Sequence, residues 1–179
     1  TTRELIIEAG ELLNWNEINP DILGAMIQTV ASGEKRSVTG MHYTSVENIR
    51  RVLCPLFIDD LNEVKRDIFN RINDNEEKDI TDKTKGTKRR AKELEALLDR
   101  LSKIKIFDPA CGSGNFLIIA YKELRYIEIE ILAKLDELSS TELDQGSWFN
   151  ESKISLNNFY GIEIDDFAHE VARLSLWIA

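Results

Sequence analysis

Apolar residues recur at helical spacing early in the chain, at Leu5, Ile6, Ala9, Leu12 and Leu13 and again at Ile22, Leu23, Met26, Ile27 and Val30. Asn19-Pro20-Asp21 separates the two runs, so the pattern predicts two short helices, over 4–14 and 21–31. Ser32 to Tyr43 is polar with two glycines and reads as a loop. Thr44-Ser45-Val46-Glu47 has capping-box form, and Ile49, Val52, Leu53, Leu56 and Phe57 follow on one face of the helix it predicts. Residues 60–103 mix charges of both signs with a sparse apolar stripe: Leu61, Val64, Ile68 and Ile72, then Leu94, Leu97, Leu98 and Leu101. Two exposed helices are expected there, joined by a mobile linker at Asp82-Lys83-Thr84-Lys85-Gly86.

The second half changes character. Ile104-Lys105-Ile106-Phe107 predicts a short strand, Asp108-Pro109-Ala110-Cys111-Gly112-Ser113-Gly114 a tight turn, and Asn115 to about Leu138 a long helix. Leu117, Leu124, Ile127, Ile131, Leu135 and Leu138 share one face of that helix. A polar loop containing Asp144-Gln145-Gly146-Ser147 precedes a second strand, Phe159 to Ile164, and Asp166 opens a helix carrying Phe167, Val171, Leu174 and Ile178. The order βαβα implies a parallel α/β sheet.

A chain of 179 residues, 42% hydrophobic, holds one compact domain with a real core plus an appendage. Lys+Arg 23 against Asp+Glu 32 gives a net charge of -9, which opposes the counterion-release binding of a self-sufficient nucleic-acid module. Any DNA contact is therefore expected mostly elsewhere. The basic cluster Lys85, Lys88, Arg89 and Arg90 is neutralised by Glu76, Glu77, Asp79, Asp82 and Glu93, and reads as a solvated surface. Cys54 and Cys111 lack zinc-site spacing and point to a reducing cytoplasm, with no metal implied. Charges interrupt every apolar stretch before membrane-spanning length, and Thr1-Thr2-Arg3-Glu4 has no signal-peptide plan, so a cytosolic protein is expected. There is no initiator Met, and Ala179 falls inside an apolar helical pattern; both ends read as cuts in something longer.

A glycine turn between a parallel strand and a helix lets backbone approach a ligand, and the helix N-terminus offers unpaired N–H groups. A P-loop needs Gly-Lys-Ser/Thr at its end, whereas Asn115-Phe116 follows Gly114, which disfavours ATP. A dinucleotide fingerprint wants a third glycine or alanine where Leu117 stands, and an acid about 20 positions on, whereas Glu163 lies much further away. NAD is weakened but stays open. Glu163, at the end of the second strand, is well placed to accept hydrogen bonds from both hydroxyls of a ribose.

Asp108-Pro109-Ala110-Cys111-Gly112-Ser113-Gly114-Asn115-Phe116-Leu117 resembles motif I of adenine-N6 amino-methyltransferases. Gly161-Ile162-Glu163-Ile164-Asp165 resembles their motif II, and Gly40-Met41-His42-Tyr43-Thr44 the circularly permuted motif X. Gly24-Ala25-Met26-Ile27-Gln28 through Pro55-Leu56-Phe57, and Leu117-Ile118-Ile119-Ala120-Tyr121-Lys122-Glu123-Leu124-Arg125, narrow the resemblance to the MmeI-like single-chain type II restriction–modification enzymes, over about residues 20–179. The resemblance implies an α/β fold: a truncated class I S-adenosylmethionine-dependent methyltransferase (Rossmann-like) fold, 104–179, behind a helical N-terminal subdomain, 1–103. It implies S-adenosylmethionine as cofactor. Tyr43 and Thr44 would meet its methionine end, Asp108, Pro109, Ala110, Cys111, Gly112, Gly114, Asn115 and Phe116 would wrap its amino acid and ribose, with Asp108 facing the ammonium, and Glu163 would hold the ribose hydroxyls. Ile164 would lie against the adenine ring and Asp165 near its edge. Double-stranded DNA is the implied partner, through regions mostly outside this chain.

The family's catalytic Asn/Asp-Pro-Pro-aromatic motif, which serves a flipped adenine, occurs nowhere in the 179 residues, so no catalytic residue is assigned and the chain alone is expected to be inactive. A nicotinamide-dependent oxidoreductase fragment and a non-catalytic binding or specificity module are the alternatives. His42 has no Asp or Ser partner nearby and His169 reads as a surface or boundary residue. Cys54-Pro55 reverses the order a cytosine methyltransferase needs, so both cysteines read as packing residues, and Trp15, Trp148 and Trp177 as core or boundary. Two strands make a marginal sheet, so exposed apolar edges at 159–164 and 174–179, shielded by self-association, are expected.

Overall fold

The computed structural model describes residues 2–4, 7–8, 44–76, 80–139 and 152–179. The helix expected over 21–31, most of the run over 4–14, the 32–43 loop with His42 and Tyr43, Trp15, Trp148 and the loop at 144–147 lie outside them. The described chain is mostly helical, with one small parallel sheet.

Helix α1 spans Val46–Leu53 and is capped by Ser45, whose hydroxyl accepts from the Asn48 N–H at 3.4 Å. The cap falls one residue later than a Thr44–Glu47 capping box requires, and Glu47 pairs with Arg51 one turn on (2.6 Å). A π-helical turn, Cys54–Ile58, follows and contains Pro55. The expected stripe is corrected: Ile49, Leu53 and Ile58 are buried, whereas Val52, ahead of the turn, and Leu56, whose place the wider winding shifts, are exposed.

Helices α2 (Asp59–Glu76) and α3 (Ile80–Ser102) are not the exposed pair that their charge content suggested. Arg100 bonds Asp60 (2.6 Å) and Arg71 bonds Glu93 (3.0 Å), which makes the pair antiparallel. Leu61, Ile68, Ile72, Leu94, Leu97, Leu98 and Leu101 are buried between them and the next helix. A narrow stripe suffices because the charged faces point outward and pair with one another. The expected linker at Asp82–Gly86 is also corrected, since α3 runs through it from Ile80.

Strand β1 (Ile106–Asp108) and strand β2 (Phe159–Gly161) pair in parallel, Ile106 beside Phe159 and Asp108 beside Gly161. Between them runs helix α4, Asn115–Ser139. Its predicted face, Leu117, Leu124, Ile127, Ile131 and Leu135, is buried, and so are Ile118, Ile119, Ala120 and Leu132, because the helix is enclosed on more than one side. Tyr121 meets Phe159 edge to face, 5.5 Å between ring centres, which seats α4 on the sheet. Arg50–Glu123 (2.7 Å) and Lys65–Glu130 tie it to α1 and α2. Buried residues of α1–α3 and of the β–α–β unit form one continuous core.

The return to β2 is anchored by Glu128, fully buried in α4. Its carboxylate accepts from Lys153 N–H (2.7 Å) and from the Ser152 hydroxyl (2.7 Å), and pairs with Arg125. Helix α5 (Asp166–Ile178) begins where expected but presents a different face. Ala168, Ala172 and Ser175 are buried, whereas Phe167, Leu174, Trp177 and Ile178 are exposed. Small side chains allow the close approach that the larger ones would block. Trp177 is 76% exposed beside an open groove that Leu156 and Arg173 also line, so the core or boundary expectation fails for it.

Candidate functional site

The first strand ends at Asp108, and the chain reverses into α4 within six residues. Asp108 Oδ1 accepts from the Ala110 N–H (3.1 Å), and the Gly114 N–H donates to the Cys111 carbonyl (2.8 Å). Gly112 and Gly114 take φ of +54° and +82°. A side chain disfavours this left-handed region by about 1–2 kcal/mol, so glycine at both positions follows from the turn's geometry.

The turn is stitched to the continuation of β2. Ile162 N–H donates to the Asp108 carbonyl (3.0 Å) and Cys111 N–H to the Ile162 carbonyl (2.9 Å). The strand itself ends at Gly161, and two residues on the Glu163 side chain turns back across the site. Glu163 Oε2 accepts from the Gly112 N–H (2.8 Å), while Oε1 accepts from the N–H groups of Ile164 (2.8 Å) and Asp165 (2.9 Å). Asp165 caps α5 by accepting from the Ala168 N–H at 2.9 Å.

The structure thus assembles Asp108–Phe116 with Glu163–Asp165. Cys111, Gly114 and Asn115 are buried, Asp108, Gly112, Phe116, Glu163 and Asp165 half-buried, and Pro109 and Ala110 exposed. Ile164 is 87% exposed. Thr44 is exposed just ahead of the Ser45 cap, and Tyr43 lies outside the described residues. Neither 108–116 nor 162–165 contains a lysine or arginine, whereas Asp108, Glu163 and Asp165 are acids. The Asn115 Oδ1 is buried without a hydrogen-bond partner. This surplus of acceptors suits a ligand bearing hydroxyl and ammonium donors and is unsuited to phosphate. Burial pushes the Cys111 thiol up, and the Asp108 and Glu163 carboxylates add to it, so it stays protonated near neutral pH. That is the behaviour of a packing residue. Among the described residues no group of three or more His, Cys, Asp or Glu side chains could hold a metal ion, and no helix is long and apolar enough to cross a membrane.

Two close contacts that shape the site escaped the sequence reading. A Cβ on Gly161 would fall 2.7 Å from Cys111 Sγ, and one on Gly114 would fall 3.0 Å from Ala172 Cβ. The spacing of Ala168, Ala172 and Ser175, one face of a helix in small residues, carried the signal for the second.

Residues 81–179 match the MmeI DNA-methyltransferase domain. The chain belongs to that family. Over 99% of its length this MmeI-family chain is 55% identical to DNA methyltransferase A of Bacillus subtilis strain 168, and over 91% it is 36% identical to a Methanocaldococcus jannaschii protein carrying the provisional name of a type II restriction enzyme and methyltransferase. It spans 17% and 14% of the lengths of these curated relatives. The solved structure of the type IIL restriction–modification enzyme MmeI in complex with DNA resembles it with a TM-score of 0.71 and 35% identity, over 93% of this chain and 19% of that one. The MmeI-like character expected from the motifs is borne out.

Proposed function

We propose that this chain is the S-adenosylmethionine-binding front part of a DNA adenine-N6 methyltransferase of a restriction–modification system, with a class I, Rossmann-like methyltransferase domain starting at residue 104 behind a helical subdomain, 1–103. The observation that carries the reading is the Glu163 carboxylate facing the Gly112 turn across the ends of two parallel strands, where an α/β sheet binds its ligands. S-adenosylmethionine, when bound, supplies an electrophilic methyl group on a sulfonium. It is cationic and carries no phosphate, which fits a turn of acceptors. Asp108 faces its ammonium, Asn115 supplies a further acceptor, Glu163 accepts from the ribose and the exposed Ile164 side chain lies against the adenine ring, with Asp165 at the ring edge. Tyr43 and Thr44 complete the methionine end.

In the whole protein the target is double-stranded DNA, contacted mostly by regions other than this acidic chain. No Asn/Asp-Pro-Pro-aromatic motif is present here, so the chain by itself leaves adenine unmethylated. The cytoplasm is the proposed compartment. Self-association through the exposed apolar groups Tyr160, Ile162, Leu174 and Trp177 is the proposed state of the isolated chain, and a monodisperse monomer in light scattering contradicts it.

Calorimetry tests the cofactor. S-adenosylmethionine binds the chain more tightly than NAD, and Glu163→Ala weakens it; tighter NAD binding, or binding of neither, overturns the reading. Transfer of a labelled methyl group to adenine-containing DNA by the chain alone refutes the assignment of catalysis to a motif outside it.

A further inference from the structure

The Glu163 carboxylate accepts three hydrogen bonds from the chain itself, and Oε2 keeps a second lone pair for a ligand. Its Oε1 is shared by two N–H groups of its own segment, Ile164 and Asp165, which fix the direction of the side chain. Its Oε2, so aimed, accepts from the N–H of Gly112, a residue 51 positions earlier on the other side of the site. Gly112 sits at positive φ, and a Cβ built on it would have nothing within 4 Å, so the space on that side of the residue is open. The chain's own atoms thus lock the turn. We propose that Glu163 is a positioning residue as well as a ligand acceptor: its bond to Gly112 holds the glycine turn in binding shape through the protein's own contacts. The choice of ligand presented to that turn rests on the function proposed above; the lock itself does not.

Glutamine separates the two ends of the lock. It has one carbonyl oxygen, which satisfies Ile164 and Asp165 together, and its amide nitrogen then faces the Gly112 N–H donor to donor. In Glu163→Gln the Gly112 amide is therefore expected to exchange hydrogen about tenfold faster or more, as for loss of a charge-assisted bond, while the Ile164 and Asp165 amides keep their protection. General loosening would release all three together.

The experiment is residue-resolved hydrogen exchange on this chain, wild type and Glu163→Gln, with no nucleoside added. Protection of Gly112 in the wild type and its selective loss in the variant support the lock. An unprotected Gly112 amide in the wild type overturns it whether or not the variant folds, and so does unchanged protection in the variant. S-adenosylmethionine calorimetry on the same samples keeps the two ideas apart: a protected Gly112 in a wild-type chain that binds no S-adenosylmethionine sinks the cofactor reading and leaves the lock standing.

Discussion

Gly114 lies against Ala172: a Cβ built on the glycine would be 3.0 Å from the alanine Cβ and 3.2 Å from its Cα. Contact between the glycine turn and the middle of α5 sets how closely that helix, capped by Asp165, approaches the site. Gly114→Ala combines left-handed strain with overpacking against backbone and is expected to cost about 2–5 kcal/mol. Gly112→Ala meets nothing within 4 Å and carries strain alone, about 1 kcal/mol. Urea unfolding of both variants checks this, and equal losses would contradict the packing role of Gly114.

Gly161 and Cys111 are coupled in the same way. The Gly161→Ala methyl would fall 2.7 Å from Cys111 Sγ, and the expected cost is about 2 kcal/mol. Cys111→Ala removes the sulfur, so the double variant should recover about 1 kcal/mol of that loss in a double-mutant cycle. Strict additivity would show that the clash is relieved elsewhere.

Glu128 tests the anchoring of β2. Glu128→Ala leaves the Lys153 N–H and the Arg125 guanidinium without their buried acceptor and is expected to cost about 3–5 kcal/mol. Glu128→Gln keeps a carbonyl for Lys153 and should cost about 1–2 kcal/mol. Equal denaturant midpoints for the two variants, which both lack the charge, would place the importance of Glu128 in its charge alone.

Cys111 gives stability a pH dependence of known sign. Its thiol is raised in the folded chain by burial, then by Asp108 and Glu163, so the unfolded chain ionises first as pH climbs. The contribution is whole below the ordinary thiol range and is lost as pH rises through it towards the raised value. Wild type should therefore lose stability above about pH 8.5 more steeply than Cys111→Ala, read as the difference between their melting temperatures across the alkaline range.

Helices α1 to α4 were legible because apolar spacing is a local property, and α4 kept its predicted face along most of its length. The apolar face of α5 was misread for a physical reason. Periodicity marks where large apolar groups lie, whereas the glycine turn excludes bulk and selects the small face, Ala168, Ala172 and Ser175, leaving Trp177 outside. The π-helical turn at Cys54–Ile58 likewise shifts a register that constant spacing cannot anticipate.

On its own the amino-acid order determined a strand, a glycine turn, a helix and a second strand, since turn chemistry and periodicity act between near neighbours. That second strand stops at Gly161, two residues short of the acid expected at its end. Only the tertiary structure decided that the Glu163 carboxylate reaches the Gly112 amide 51 residues away, that Glu128 is buried to hold Lys153, and that Ala172 fills the space beside Gly114. Such contacts join groups far apart along the chain, and they exist only once α4 has packed on the sheet and brought both strand ends to one side.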